Sequence, residues 1–233
     1  MINVSNNLFY FYLLRIFVTN RNKLNFTAFQ KTFRKFTVFS ITDVEIAFPG
    51  FDRKILVVWQ DKGYIHKVRN SWYCFADRLL QEDDLCLVAN KIYAPSYVSL
   101  ESAFSFYHFI PEGVFRTTSV GTLKTASFDT PIGYFHYRNI KPFLFFGYRL
   151  ERQAKGEMPG SYKIASPEKA LIDFLYLNPQ YKDEVDLDSL RFNWEAFGEA
   201  VDMERLEEYV KYIGSGSLTK RMGILLNLFH AQS

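Results

Sequence analysis

Seven residues between positions 53 and 71 carry hydrogen-bond donors that could bind a polyanion. They are Arg53, Lys54, Lys62, Lys67, Arg69, Asn70 and Ser71. An arginine guanidinium can donate two parallel hydrogen bonds to O6 and N7 of a guanine, whereas a lysine ammonium more often acts as a charge beside a phosphate. Asn and Ser side chains add neutral donors for a sugar-phosphate backbone. The chemistry open to these residues is recognition of a polyanion such as double-stranded DNA.

The net charge is divided unevenly along the chain. The 233 residues have a formal charge of +3, but residues 1–76 contain eleven basic and four acidic residues, a net charge of +7. The rest of the chain contains 17 basic and 21 acidic residues, a net charge of −4. A basic front end on an acidic body is typical of a protein with a polyanion-binding module.

Two helices are predicted ahead of the donor residues. Ser40 followed by Asp43 predicts the start of the second, and Pro49-Gly50 predicts its end. The first is indicated by phenylalanines at helical spacing, with polar and charged residues between them: Phe26, Phe29, Phe33 and Phe36.

A third helix and a hairpin are predicted to contain the donor residues. The helix spans 51–62, with Asp52 as its N-cap and Gly63 as its C-terminal stop. The hairpin pairs residues 64–68 with 72–75 around a turn at 69–71. Four apolar residues of the third helix are expected in the core: Ile55, Leu56, Val58 and Trp59.

Three short helices followed by a hairpin are typical of a winged helix-turn-helix domain. In such domains a later helix enters the major groove of DNA with its N-terminal residues facing the base edges. Arg53 and Lys54 stand at that end, while the hairpin residues 67–71 are expected on the DNA backbone or minor groove and Lys62 near a phosphate. An isolated Arg-Lys pair would indicate a solvated helix face, but the element order and the charge division favour DNA binding.

The rest of the chain predicts a mixed α+β domain. A helix reaching about Tyr93 is broken by Pro95, and Ser99 is predicted to cap a helix over 100–109. Ser166-Pro167 predicts the start of a strong helix. Further helices are predicted at 203–213 and 218–229. Strands, expected to form a central antiparallel sheet, are predicted at 114–120, 125–130, 133–140 and 142–148.

Four segments of the chain resemble the AbiEi-type antitoxin family, which comprises predicted transcriptional regulators of type IV toxin–antitoxin systems. The resemblance runs from about Phe36 to Leu190 and is most specific at 99–112 and 165–177. The segments are YVSLESAFSFYHFIPEGV, TSVGTLKTASFDTPIGYFHYR, IKPFLFFGY and IASPEKALIDFLYL.

The resemblance implies both a fold and a role. It implies an N-terminal winged helix that binds double-stranded operator DNA, followed by a C-terminal antitoxin domain. In the family the partner gene encodes a nucleotidyltransferase-like toxin, which is countered without a stable complex between the two proteins. Residues 1–25 have no counterpart in this resemblance.

The acidic residues and histidines form no recognisable catalytic motif. Glu168 and Lys169 are adjacent, whereas a common nuclease core has a residue between its acid and its lysine. The four histidines are scattered, and no glycine-rich phosphate loop is present. We therefore expect no catalytic residues, no cofactor and no metal. The acids considered are Glu101, Glu112, Asp129, Glu168 and Asp173.

The cysteines and the N-terminal segment point to a protein of the cytoplasm. Cys74 and Cys86 form no CxxC pair, which excludes a zinc ribbon or a disulfide framework and predicts reduced thiols.

The apolar stretch 8–18 is interrupted by Arg15 and is shorter than the roughly 20 residues of a membrane-spanning helix. No small-residue cleavage site follows it. We expect no membrane association, and either a packing or dimerising role for this stretch or an accidental upstream start codon.

These observations predict an extension (1–25), a winged helix domain (26–78) and a C-terminal domain (79–233). The chain is interpreted as a DNA-binding transcriptional regulator, the antitoxin and autorepressor of a toxin–antitoxin operon, acting as a monomer or a homodimer. Two alternatives stay open: a nucleic-acid-processing enzyme or its accessory subunit, and an adaptor whose winged helix binds a protein. Metal-dependent cleavage would favour the first alternative, and salt-insensitive binding to a protein the second.

Overall fold

The computed structural model describes residues 24–111, 113–153 and 160–232. Most of the predicted N-terminal extension, the candidate acid Glu112 and residues 154–159 lie outside these residues. The chain divides into two compact units. The first contains the described parts of Met1–Ile92, Thr130–Ile132 and Arg152–Ser161, and the second those of Tyr93–Asp129, Gly133–Glu151 and Tyr162–Ser233.

The first unit combines helices with a three-stranded antiparallel sheet of order β1-β3-β2. The second helix begins with a capping box, in which the Ser40 and Asp43 side chains each accept the other residue's backbone N–H, as its sequence predicts. In chain order the elements are α1 (Phe26–Phe33), β1 (Phe39–Ser40), α2 (Ile41–Ala47), α3 (Lys54–Asp61), β2 (Ile65–Arg69), β3 (Trp72–Phe75) and α4 (Glu82–Ile92).

Aromatic rings form the centre of this unit's core. Phe29 is fully buried, and its ring lies 4.6 Å from that of Trp59 and 5.1 Å from that of Phe39, measured between ring centroids. Phe33 and Phe75 are buried beside them. Because α1, α3 and the sheet each contribute a ring, the orientation of α3 is fixed by packing as well as by its local sequence.

The second unit contains a six-stranded sheet of order β6-β7-β5-β4-β9-β8. Its strands are β4 (Ser96–Val98), β5 (Arg116–Gly121), β6 (Ala126–Thr130), β7 (Gly133–Asn139), β8 (Tyr148–Arg152) and β9 (Ser161–Ala165). Its helices are α5 (Glu101–Phe106), a 3-10 helix (Pro142–Leu144), α6 (Pro167–Leu177), α7 (Glu184–Asp188), α8 (Trp194–Ala200), α9 (Met203–Ile213) and α10 (Gly216–Gln232).

The sheet is mixed, so the prediction of an antiparallel sheet is wrong. The pair β4–β9 and the pair β5–β7 are parallel, and only β4–β5 among these three pairs is antiparallel. One reason is that β6 lies at the edge of the sheet, so that β7 pairs directly with β5. The other is β4, which the sequence did not reveal. This strand has three residues, all buried, and therefore lacks the alternation that marks a strand. It lies between β5 and β9 and joins two halves of the sheet.

Two further predictions in this unit are wrong, whereas the helix starting at Ser166 is confirmed. The predicted strand 142–148 is a 3-10 helix in its first part, because Pro142 fixes a turn, and the strand begins only at Tyr148. Ser99 does not cap α5, since its hydroxyl donates to Asp173. Ser166 accepts the backbone N–H of Lys169, with Pro167 at the first helical position.

The fold is therefore of the α+β class, as predicted. The predicted helices at 203–213 and 218–229 correspond to α9 and α10, whereas α7 and α8 were not predicted. Within the described ranges, no helix has the length and apolar character needed to cross a bilayer.

Candidate nucleic-acid interface

Helix α3 has one face in the core and one face in solvent. Leu56 and Trp59 are buried at 1% and 4% exposure. At 100° per residue the opposite side of the helix carries Lys54, Val57, Val58 and Asp61, all of which are exposed. We call these four residues the outward face of α3.

The outward face corrects one prediction. Val58 was expected in the core, but 45% of its surface is exposed, and 55% of that of Val57. The reason is that residues 55–59 form an unbroken apolar run. Such a run does not indicate which side of the helix faces the core. The core takes one side of the helix, and the two valines remain outside.

The N-terminal end of α3 carries two exposed cations. Arg53 stands just ahead of the helix, and its Nη2 donates to Glu45 Oε2 of α2 over 2.9 Å, with 66% and 46% of the two side chains exposed. Lys54 is exposed, and its backbone N–H is bound by Asp52 Oδ1 at 3.0 Å. The helix starts at Lys54 rather than at residue 51, so Arg53 occupies the N-cap position in place of Asp52.

Three polar residues of the predicted hairpin are exposed. Lys67 lies within β2, and Asn70 and Ser71 lie in the turn between β2 and β3. Ser71 has a φ of 68°, and its carbonyl accepts the backbone N–H of Ile41 at 2.9 Å, which ties the turn to the start of α2. The turn is thus anchored by backbone while its side chains reach solvent.

Lys62 and Arg69 differ in their exposure to solvent and in their contacts. Lys62 is exposed just after α3, with its ammonium 6.0 Å from the centre of the Tyr64 ring. Arg69 is half-buried, and its Nη1 donates to the carbonyl of Ile92 at the end of α4. Arg69 therefore braces the hairpin against α4, a bond that its position in the sequence did not reveal.

Of the candidate acids, Asp173 belongs to a buried network, whereas Asp129 is exposed and Glu101 is half-buried. Lys169 and Asp173 form an ion pair with 0% and 1% exposure, and Asp173 Oδ2 also accepts the hydroxyls of Tyr97 and Ser99, each at 2.9 Å. Burial raises the pKa of Asp173, and the Lys169 charge and the hydroxyl donors oppose this effect. Gly147, with a φ of 70°, lies so close that an added Cβ would be 3.0 Å from Lys169 Cγ.

Glu168 is also fully buried, and it binds a neighbouring helix. Its Oε1 accepts the backbone N–H of Asp202, the N-cap of α9, at 2.9 Å, and Arg205 Nη1 lies 3.7 Å away. Glu168 lies in the first turn of α6, where a carboxylate is favourable by itself. The structure adds a bond to the positive end of α9 that no local pattern could show.

The two cysteines are free thiols. Burial raises the pKa of the Cys74 thiol to about 11 and that of Cys86 to about 12. Both thiols therefore stay protonated at neutral pH, which makes them poor nucleophiles and poor metal ligands. In the part of the chain that the structure describes, no three His, Cys, Asp or Glu residues are grouped so that they could hold a metal ion.

Comparisons of the chain with protein-family models and with curated proteins gave no match.

Proposed function

We propose that residues 26–78 form a winged helix that binds double-stranded DNA, with α3 in the major groove. The observation that carries this proposal is the outward face of α3, which has Arg53 and Lys54 at its N-terminal end and is followed directly by a hairpin with an exposed polar turn. This arrangement matches the docking geometry of helix-turn-helix proteins.

Each exposed donor has a distinct role in this proposal. Arg53 contacts a guanine through its guanidinium, and Lys54 supports it from the first turn of α3. Lys62 and Lys67 neutralise phosphates. Asn70 and Ser71 donate to the DNA backbone at the wing. Arg69 positions the wing through its bond to α4 and contributes its charge from there.

The resemblance to AbiEi-type antitoxins extends the proposal to a biological role. The protein acts as a transcriptional regulator that represses its own operon and as the antitoxin to a nucleotidyltransferase-like toxin. The second unit supplies the antitoxin function without a stable toxin complex. No catalytic step is assigned to it, because Glu168, Lys169 and Asp173 all have structural partners.

The salt dependence of DNA affinity tests this proposal. Each neutralised phosphate contributes about −0.9 to the slope of log affinity against log salt, so four cations give a slope of about −3 to −4, and a dimer twice that. Fluorescence anisotropy with the full-length protein and random 20-base-pair duplexes measures the slope. An affinity that does not change with salt would contradict DNA binding.

A pair of variants separates base reading from phosphate binding. Arg53→Ala should weaken binding to a selected duplex by about 1–3 kcal/mol and relax the preference at one base pair. Lys67→Ala should weaken selected and random duplexes equally and reduce the salt slope by about one. Competition against a randomised library at fixed salt measures both effects. Uniform weakening by both variants would mean that α3 does not read bases.

A further inference from the structure

Two adjacent valines lie exposed between cations on the helix proposed to read DNA. Val57 and Val58 lie on the outward face of α3 and are 55% and 45% exposed. Lys54 precedes them on the same face, and Lys62 follows the helix. A single exposed valine is ordinary on a protein surface. Two neighbours on a face otherwise made of charged residues form an apolar site of defined position.

The charges around this site distinguish base recognition from simple phosphate binding. The outward face contains one cation, Lys54, and one anion, Asp61, so its own net charge is zero. A surface that only bound phosphates would be cationic throughout. Here Arg53 and Lys62 flank the ends of the helix, each next to an exposed acid (Asp52 and Asp61), and the middle is apolar. This pattern complements a DNA groove, where phosphates line the rims and base edges form the floor.

Thymine supplies the apolar group on the floor of the major groove. Its C5 methyl projects there, and contact with apolar side chains is a recognised mode of reading it. Along the helix axis Val57 and Val58 lie about 4.5 and 6 Å from Lys54, at a rise of about 1.5 Å per residue. Base pairs are stacked about 3.4 Å apart. The valines therefore reach one or two base pairs beyond the contact of the N-terminal cations.

Arg53 lies one residue before Lys54, so the two valines are about 6 and 7.5 Å from it along the axis. We propose that Val57 and Val58 read thymine C5 methyl groups about two base pairs from the base contacted by Arg53. This inference rests on the proposed DNA binding by α3. It identifies the preferred ligand as a duplex with a guanine followed closely by thymine in the major groove.

Deoxyuridine substitution tests the proposal, because uracil lacks only the C5 methyl group. Duplexes are selected from a randomised 20-base-pair library with the full-length protein and resynthesised with deoxyuridine at one thymine at a time. We expect affinity to fall about fourfold for each methyl contact, the effect of removing one buried methyl-sized group. Val57→Ala and Val58→Ala should each bind the thymine and uracil duplexes with nearly equal affinity at the position that valine reads.

Val185→Ala is the matched control, since Val185 is 80% exposed on α7 of the second unit. This variant should keep the full sensitivity to deoxyuridine. Circular dichroism melts check that all three variants fold. If selected duplexes bind tightly but deoxyuridine has no effect, the inference is overturned while DNA binding stands. If no duplex is enriched and the protein shows no salt-dependent binding, the proposed function fails and the inference fails with it.

Discussion

Two ion pairs, one in each unit, differ sharply in their access to water. In the first unit, Arg53 and Glu45 form an ion pair with 66% and 46% of the two side chains exposed. In the second, Lys169 and Asp173 form an ion pair without access to water, and two hydroxyls also donate hydrogen bonds to the carboxylate. An exposed pair adds little stability and can exchange its partner, whereas a buried pair cannot lose one member without leaving an unpaired charge. The Arg53 charge is thus available to a ligand, whereas the Lys169–Asp173 pair holds the fold.

Glu168 is a further buried charge in the second unit. Its carboxylate is fully buried, and its Oε1 is bound by the Asp202 N–H at the start of α9. Among the described residues, its Oε2 has no hydrogen-bond partner. The N-terminal end of α9 and Arg205 supply the positive charge that balances it. Glu168 therefore joins α6 to α9.

Breaking the buried pair should have the largest effect. Asp173→Ala should lower the free energy of unfolding by about 3–5 kcal/mol, because it leaves the Lys169 ammonium buried without its counter-charge. Urea denaturation followed by circular dichroism measures the loss. The double variant Lys169→Met/Asp173→Leu should recover only part of it, since an apolar pair needs no counter-charge but the Tyr97 and Ser99 hydroxyls still lose their acceptor. A loss below 1 kcal/mol for Asp173→Ala would mean that the pair does not hold the fold.

Replacing Glu168 should have an intermediate effect. Glu168→Ala should lower the free energy of unfolding by about 1–3 kcal/mol, because the Asp202 N–H loses its acceptor. A carboxylate in the first turn of α6 alone would contribute only about 0.3–1 kcal/mol. Glu168→Gln keeps an acceptor oxygen and should lose less than Glu168→Ala. Equal losses would show that the charge, rather than the hydrogen bond, is what α9 requires; both variants should bind DNA as the parent does.

Features that depend on neighbouring residues were predictable from the sequence, and features that depend on distant pairing were not. The capping box at Ser40 and the Ser166-Pro167 helix start follow from residues within four positions of each other. Strand β4 is specified by its neighbours β5 and β9, about 20 and 65 residues away in the chain, and its own three residues carry no strand pattern. The exposure of Val58 depends likewise on which side of α3 meets the core.

In the candidate site, too, features set by neighbouring residues were predictable and features set by distant contacts were not. The exposure of Lys54, Lys62 and Lys67 matches what residue type and element order indicated. The hydrogen bond from Arg69 to the end of α4 joins residues 23 positions apart, and no local sequence pattern predicts it. The Glu45–Arg53 pair is closer in sequence, but it spans the turn between α2 and α3, whose geometry is set by the aromatic core.

The exposed pair gives the smallest expected change in stability. Glu45→Gln should alter the free energy of unfolding by less than about 0.5 kcal/mol, because exposed ion pairs contribute little. Its effect on DNA should be larger. In the proposed complex Glu45 competes with DNA for the Arg53 guanidinium, and its charge repels phosphates, so its neutralisation should tighten binding to selected and random duplexes by a similar factor. The ratio of the two affinities should therefore stay the same.

Glu207→Gln provides the control for net charge, because Glu207 is an exposed acid on α9 and the substitution changes the total charge by the same amount. Anisotropy titrations at one salt concentration should show tighter binding for Glu45→Gln and no change for Glu207→Gln. Equal tightening by both variants would attribute the effect to total charge rather than to competition for Arg53. Weaker binding by Glu45→Gln, with stability unchanged, would show instead that Glu45 orients Arg53 for its base, and the exposed pair would then be a positioning device rather than a competitor.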